Sequence, residues 1–151
     1  MATFKDQNWT TREQTLGDPA ETAFELWAGR NNVPNVRYGL CRPPIDMRRL
    51  APMVRYTPDY LAETRFIEVQ GCGKDASFKF KHDKLEALKA WHSIMPVYVW
   101  LWNQPDNESV LVEINELLAL CVGYDGTYRE DGVFDGTKPY ASVSWSRLVK
   151  K

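Results

Sequence analysis

The sequence predicts an α/β domain in which a mixed central β-sheet is flanked by helices. Three features favour this class: an amphipathic helix near the start, a series of short alternating segments from about residue 60 to 81, and an apolar run at 97–102 that follows a second amphipathic helix. Helices and strands with one apolar face each pack as layers around a shared core. A length of 151 residues fits a single domain.

The first helix is predicted at about 19–30. Asp18 suits the N-cap position and Pro19 the first helical position, while Glu21 in the first turn complements the helix dipole. Gly29 near the end of the apolar stripe predicts termination. Residues 1–16 are polar, lack periodicity and are interpreted as an N-terminal arm.

The next part of the chain favours strands. Residues 36–40 form a weak strand candidate, and the prolines of residues 42–52 predict an arginine-rich loop. Residues 60–63 and 65–71 alternate and are predicted to form a β-hairpin. Residues 77–81 alternate again, so Lys79 and Lys81 should share one face, opposite Phe78 and Phe80.

The second helix is predicted at 83–92 and is followed at 97–102 by an apolar run typical of a strand buried on both faces. Beyond it we expect a strand–helix–strand extension, with a strand at 110–112, a helix at 114–121 and a last strand at 140–145. The predicted organisation is one domain over 17–151, with its core at about 17–102 and an extension over 103–151.

The charge is distributed unevenly although the net charge is only −1. Residues 37–89 hold eleven Lys/Arg against seven Asp/Glu, whereas residues 103–135 hold eight acids and a single arginine. The balance excludes a protein that coats nucleic acid through bulk charge, but the middle of the chain is suited to meet an anion.

The three cysteines, Cys41, Cys72 and Cys121, form no C-x-x-C pair and favour free thiols in a reducing compartment. The N-terminal residues lack the apolar core of a signal peptide, and no run approaches the roughly 20 apolar residues of a membrane span. We therefore expect a cytoplasmic protein without a membrane partner.

The most informative stretch combines Pro58-Asp59 with Glu68-Val69-Gln70. Proline before Asp59 predicts an extended or turning backbone. Side chains alternate along a strand, so Glu68 and Gln70 should share the face opposite Val69. Two carboxylates presented by neighbouring strands suit a divalent cation such as Mg²⁺.

These residues, in this order along the predicted elements, resemble the PD-(D/E)XK nuclease superfamily. Within this superfamily the chain resembles small Holliday junction resolvase-type nucleases from phages and archaea, and the likeness covers about residues 17–102. It rests on Glu21, Pro58-Asp59 and Glu68-Val69-Gln70. It implies a restriction-endonuclease-like fold and a phage-encoded enzyme of the host-cell cytoplasm that hydrolyses phosphodiester bonds, with branched DNA as its substrate. Resolvases cut two strands symmetrically, so the resemblance also implies a homodimer.

The resemblance implies roles for individual residues. Asp59 and Glu68 would bind Mg²⁺ or Mn²⁺, the Val69 carbonyl would be a further ligand, and Glu21 would complete the acidic cluster. Gln70 stands where the superfamily usually has lysine, and an amide cannot supply the charge of an ammonium. Lys81 and Lys84 are the candidates to replace that charge.

Other basic residues are candidates for DNA contacts. Lys74, Lys79 and Lys81 lie close in sequence to the acidic motif. Arg48 and Arg49, on the proline-rich loop, form a second candidate contact. Binding through such residues should weaken as the salt concentration rises.

Three alternatives stay open. Because of Gln70, the chain could keep the nuclease fold without its chemistry and act in DNA binding or virion assembly. Cys72 with His82 or His92 could instead form the Cys–His pair of a hydrolase, although no local signature supports it. Taken singly, Asp59 and Glu68 also fit a turn residue and a solvated carboxylate.

Overall fold

The computed structural model describes residues 18–39 and 49–150. The predicted first helix, second helix and apolar strand are all present, as are the hairpin and the helix at 114–121. In chain order the elements are α1 (Asp18–Arg30), β1 (Asn35–Arg37), α2 (Pro52–Arg55), β2 (Tyr60–Ala62), β3 (Arg65–Cys72), β4 (Ser77–Lys81), α3 (His82–His92), β5 (Val97–Asn103), a 3₁₀ turn (Gln104–Asp106), β6 (Glu108–Glu113), α4 (Ile114–Cys121), β7 (Gly132–Phe134), β8 (Lys138–Ser144) and α5 (Trp145–Leu148).

A mixed five-stranded sheet forms the centre of the protein, in the order β1-β2-β3-β5-β6. β3 and β5 run parallel and the other neighbours run antiparallel. The crossover between the two parallel strands contains β4 and α3, as a parallel connection requires. This mixed sheet with helices confirms the predicted α/β class.

A separate three-stranded antiparallel sheet has the order β4-β8-β7. The prediction of a central sheet flanked by helices does not include this second sheet, which contains β4, β7 and β8. Phe78 and Phe80 are fully buried and pair with Val143 and Ala141 of β8. Both rings lie on the buried face of the small sheet. The lysines of β4 lie on the opposite face, as predicted.

The two faces of the central sheet carry two apolar clusters. On one face, Phe24 and Ala28 of α1 pack with Tyr60, Ile67 and Trp100. The other face is covered by α3, α4 and the inner face of the small sheet, whose buried residues join Phe66, Val99 and Leu101 in one cluster. Consecutive residues of β3 thus serve opposite faces, as the alternation predicts.

The last third of the chain is built into this core. Ile114, Leu117 and Cys121 of α4, together with Val143 and Leu148, belong to the same cluster as α3. The extension over 103–151 also contains β7 and α5, which the strand–helix–strand prediction omits. In the part of the chain that the structure describes, no helix is long and apolar enough to cross a membrane.

Candidate functional site

The β2–β3 hairpin brings Asp59 beside Glu68. Tyr60 pairs with Ile67, so Asp59 lies one residue beyond the last β2 pair, level with Glu68. Its Oδ2 atom accepts a hydrogen bond of 2.8 Å from the Val69 backbone N–H. Glu68 is 5% exposed and lies on the α3 side of the sheet. The two carboxylates expected to act together are therefore neighbours.

Lys84 closes the site from the first turn of α3. Its Nζ atom lies 2.5 Å from Glu68 Oε1 and donates to Gln70 Oε1 at 3.4 Å. The Gln70 amide in turn donates to the Lys79 carbonyl at 3.0 Å. Of the two lysines proposed to replace the missing ammonium, the structure brings Lys84 to Gln70 and turns Lys81 toward the small sheet.

Glu21 reaches the site through a second cation, Arg37 of β1. Arg37 Nη1 lies 2.6 Å from Glu21 Oε2, and its Nη2 lies 3.7 Å from Asp59 Oδ1. Glu21 is thus linked to Asp59 through the guanidinium rather than joining the carboxylate pair directly. Sequence reasoning missed Arg37, since β1 is only three residues long and carries no motif.

Burial and like charge act together on Asp59. Burial raises the pKa of its carboxyl well above the usual range, and the charge of Glu68 raises it further; Lys84, the Val69 N–H and Arg37 only partly oppose this. Burial also opposes the charge on Lys84, yet the charges of Glu68 and Asp59 raise the pKa of its ammonium. Two carboxylates in one buried space form a centre that favours added positive charge.

The Asp59 backbone is held by the two residues that follow β1, one of which, Gly39, approaches it closely. Its carbonyl accepts hydrogen bonds from the N–H groups of Tyr38 and Gly39, at 2.8 and 3.0 Å. A Cβ atom on Gly39 would lie 2.8 Å from the Pro58 oxygen and 3.1 Å from the Asp59 Cα. Because both atoms belong to the backbone, only glycine fits without displacing Asp59.

Gly39→Ala should therefore destabilise the protein by roughly 1–3 kcal/mol, the usual cost of forcing extra volume into a packed position. Urea denaturation measures this free energy of unfolding. Gly29→Ala in α1 is the matched control, because a Cβ atom at this position would have open space for 4 Å around it. That variant should be neutral or up to about 1 kcal/mol more stable. Equal effects of the two substitutions would contradict the close approach.

The predicted DNA-contact residues lie in different places. Lys74 is exposed in the turn between β3 and β4, and Arg49 is exposed just before α2. Lys79 and Lys81 lie on the outer face of the small sheet, where Lys79 forms an exposed ion pair of 3.5 Å with Asp75. Arg48 and Cys41 lie outside the described residues.

The geometry does not support a Cys–His hydrolase pair. Cys72 is buried, donates to Asn103 Oδ1 at 3.6 Å, and burial raises the pKa of its thiol to about 11. His82 Nε2 lies 2.9 Å from the Arg129 carbonyl oxygen, and His92 Nδ1 accepts from the Val97 N–H. All three side chains are engaged elsewhere.

The number and type of side chains at the site determine whether it could hold the expected metal ion. Within residues 18–39 and 49–150, no three or more Asp, Glu, His or Cys side chains cluster so as to hold a metal ion. Asp59 and Glu68 supply two carboxylates, and Mg²⁺ at phosphate-processing sites commonly uses one or two carboxylates plus water and substrate oxygens. The carboxylate pair therefore fits Mg²⁺ or Mn²⁺ bound together with a phosphate.

Comparisons of the chain with protein-family models, with curated proteins and with solved structures found no match.

Proposed function

We propose that the protein is a metal-dependent endonuclease that hydrolyses phosphodiester bonds in DNA. The observation that supports this most is the meeting of Asp59, Glu68 and Lys84, which come from the segment before β2, from β3 and from α3. The order on which the PD-(D/E)XK resemblance rests, namely helix, hairpin, helix and buried strand, is present in the chain as α1, β2–β3, α3 and β5, with β1, α2 and β4 between these elements. We therefore propose a restriction-endonuclease-like core.

Asp59 and Glu68 would hold the metal ion, with the Val69 carbonyl as a third oxygen. The Val69 N–H is directed at Asp59, and in an extended strand the carbonyl of the same residue points to the same side. A bound Mg²⁺ or Mn²⁺ ion would polarise the scissile phosphate and lower the pKa of an attacking water. The Val69 N–H orients Asp59 by holding its other oxygen.

Lys84 would supply the charge that Gln70 lacks. Its ammonium is 3.4 Å from Gln70 Oε1 and stays protonated at neutral pH because of the two carboxylates. In this position it can donate to a non-bridging phosphate oxygen as negative charge develops there. Arg37, held by Glu21, acts as a positioning residue for Asp59.

The substrate proposed from the resemblance is branched DNA, including Holliday junctions in phage DNA metabolism, cut by a homodimer. One observation favours the alternative of a nuclease-fold protein without chemistry. The Glu68 Oε1 atom is already paired with Lys84 at 2.5 Å, so an ion must compete with that ammonium. Under this alternative the protein would act in DNA binding or virion assembly.

A cleavage assay with Mg²⁺ or Mn²⁺ on four-way junction, flap, linear duplex and single-stranded DNA tests the proposal. We expect metal-dependent cutting of branched DNA. Asp59→Ala and Glu68→Ala should each reduce the rate by at least about a hundredfold, since both remove a metal ligand. Glu108→Ala, which removes an exposed carboxylate of β6, is the matched control and should keep full activity.

The absence of cutting on every substrate with both metals would contradict the nuclease proposal. DNA binding retained without any cutting would identify the alternative. Cutting that survives chelators and is lost in Cys72→Ser would instead indicate the thiol hydrolase.

A further inference from the structure

The outer face of the small sheet carries rings and lysines that the cleavage chemistry does not use. Lys79 and Lys81 of β4 point away from the buried phenylalanines of the same strand. Tyr140 of β8 pairs directly with Lys81, and Phe134 of β7 pairs with Lys138. We call this set the aromatic–basic face; its members are Lys79, Lys81, Phe134, Lys138 and Tyr140.

The rings of the aromatic–basic face are held in place by their neighbours. The Tyr140 ring lies over Gly132, where any Cβ atom would collide with the ring. Phe134 packs against Tyr140 with 4.6 Å between ring centroids. The Lys79 ammonium lies 5.8 Å from the Tyr140 centroid, and the Lys81 ammonium lies 5.3 Å from that of Phe134. Both rings stay partly exposed, so they form a preorganised surface.

The charge of this face complements an anion. Lys81 is crowded by the charges of Lys138 and Lys84, and it also faces Asp83 and Asp135. Burial lowers the pKa of its ammonium, and the two lysines lower it further, more than the two acids raise it. A phosphate near Lys81 would relieve this repulsion.

The aromatic–basic face begins where the carboxylate site ends. The Gln70 amide donates to the Lys79 carbonyl, which joins β3 of the site to β4 of the face. Lys81 ends β4, and Lys84 follows in the first turn of α3. The site and the aromatic–basic face are therefore joined through β4 and the start of α3.

We propose that the aromatic–basic face binds an unpaired DNA strand, with bases stacked on Tyr140 and Phe134 and phosphates at the three lysines. Rings interleaved with lysines are suited to single strands, because the bases of a duplex are already stacked inside it. The link to cleavage rests on the proposed function and makes flaps and junctions with unpaired arms the substrate class. The binding itself is independent of the metal ion.

Fluorescence anisotropy of the full chain in EDTA tests the proposal, with a labelled single strand of about 15 nucleotides and the duplex of the same sequence. We expect tighter binding of the single strand. Tyr140→Leu should weaken single-strand binding about tenfold, whereas Tyr140→Phe keeps the ring and should bind like the wild type. Lys89→Gln, which removes an exposed lysine of α3, is the charge control and should have little effect.

A double variant, Lys81→Gln with Lys138→Gln, should flatten the dependence of log affinity on log salt by about 1.4, since each phosphate contact on a single strand contributes about 0.7. Circular dichroism confirms that each variant is folded. A folded Tyr140→Leu variant with unchanged affinity would overturn the proposal. If Tyr140→Leu does not fold, the double variant decides, and an unchanged salt dependence then overturns it.

Different results would contradict the nuclease proposal and the single-strand-binding proposal. Single-strand binding that responds to these variants, in a protein that cuts no substrate, would support this face and refute the nuclease. Metal-dependent cutting with no preference for the single strand would refute the face alone.

Discussion

Lys84→Ala should lower the free energy of unfolding by about 3–5 kcal/mol, the cost of leaving a buried charge without its partner. The Lys84 ammonium lies 2.5 Å from Glu68 Oε1, and both side chains are largely buried. Removing it leaves Glu68 and Asp59 facing each other without that cation. Urea denaturation at pH 7 measures the loss. Because the pKa of Lys84 is raised, its contribution is complete below the unfolded pKa of about 10.4 and is lost only as the pH rises through the folded pKa.

The control for this loss is Lys89→Ala on the same helix, where the lysine is exposed. That substitution should change stability by less than about 0.5 kcal/mol. A double-mutant cycle with Lys84→Met and Glu68→Gln should give a coupling energy above roughly 1 kcal/mol, because the two groups are in direct contact. Equal costs for Lys84→Ala and Lys89→Ala would show that the ion pair contributes nothing.

Asp59→Asn should stabilise the protein at neutral pH by more than the roughly 0.5 kcal/mol that is typical of surface substitutions. Burial and the charge of Glu68 raise the folded pKa of Asp59 above its unfolded value of about 3.9. At a pH between the unfolded and the folded pKa of Asp59, the folded state binds more protons than the unfolded state. The free energy of unfolding therefore falls as the pH rises through the folded pKa. Asparagine keeps an acceptor for the Val69 N–H and removes this titration.

Urea midpoints from pH 4 to pH 8 measure that difference. The stability that Asp59→Asn gains over the wild type should be greatest near pH 8. It should shrink as the pH falls toward the unfolded pKa of aspartate. Asp135→Asn, at an exposed position with φ of 51° that asparagine tolerates, is the control and should give a parallel profile. An Asp59→Asn variant that is less stable than the wild type at pH 7 would contradict this electrostatic description.

Local patterns were sufficient for the longer helices and strands and for the acidic motif. Alternation along residues 65–71 predicts that Glu68 and Gln70 share a face, and Lys84 contacts both. Periodicity predicts α3 and α4 to within one residue. These features depend on residues that are close together in the sequence, and a single sequence shows such local patterns directly.

What the sequence could not supply is long-range pairing. Residues 77–81 alternate as a strand, but nothing local indicates that β4 pairs with β8 instead of joining the central sheet. β7 lies in a Gly/Asp-rich segment and α2 is a four-residue helix, so neither is long enough to show a period. Arg37 was missed because its partners are distant in sequence. Glu21 belongs to α1, and Asp59 lies just before β2.

The choice between Lys81 and Lys84 also needed the structure. Both lie near Gln70 in sequence, but the boundary between β4 and α3 falls at residues 81 and 82. Lys81 therefore follows the strand alternation onto the outer face of the small sheet, while Lys84 follows the helix into the site. The sequence predicts both β4 and α3. The exact residue at which β4 ends and α3 begins determines where each lysine points.

We propose that Asp59 and Glu68 form a divalent cation centre. A crystal of the full chain soaked in Mn²⁺ together with a DNA oligonucleotide tests it most directly through the anomalous difference map. We expect a peak about 2.1 Å from a carboxylate oxygen of each residue, with the Lys84 ammonium displaced from Glu68. A map without a peak at these carboxylates, with the Lys84–Glu68 pair intact at saturating Mn²⁺, would contradict the claim.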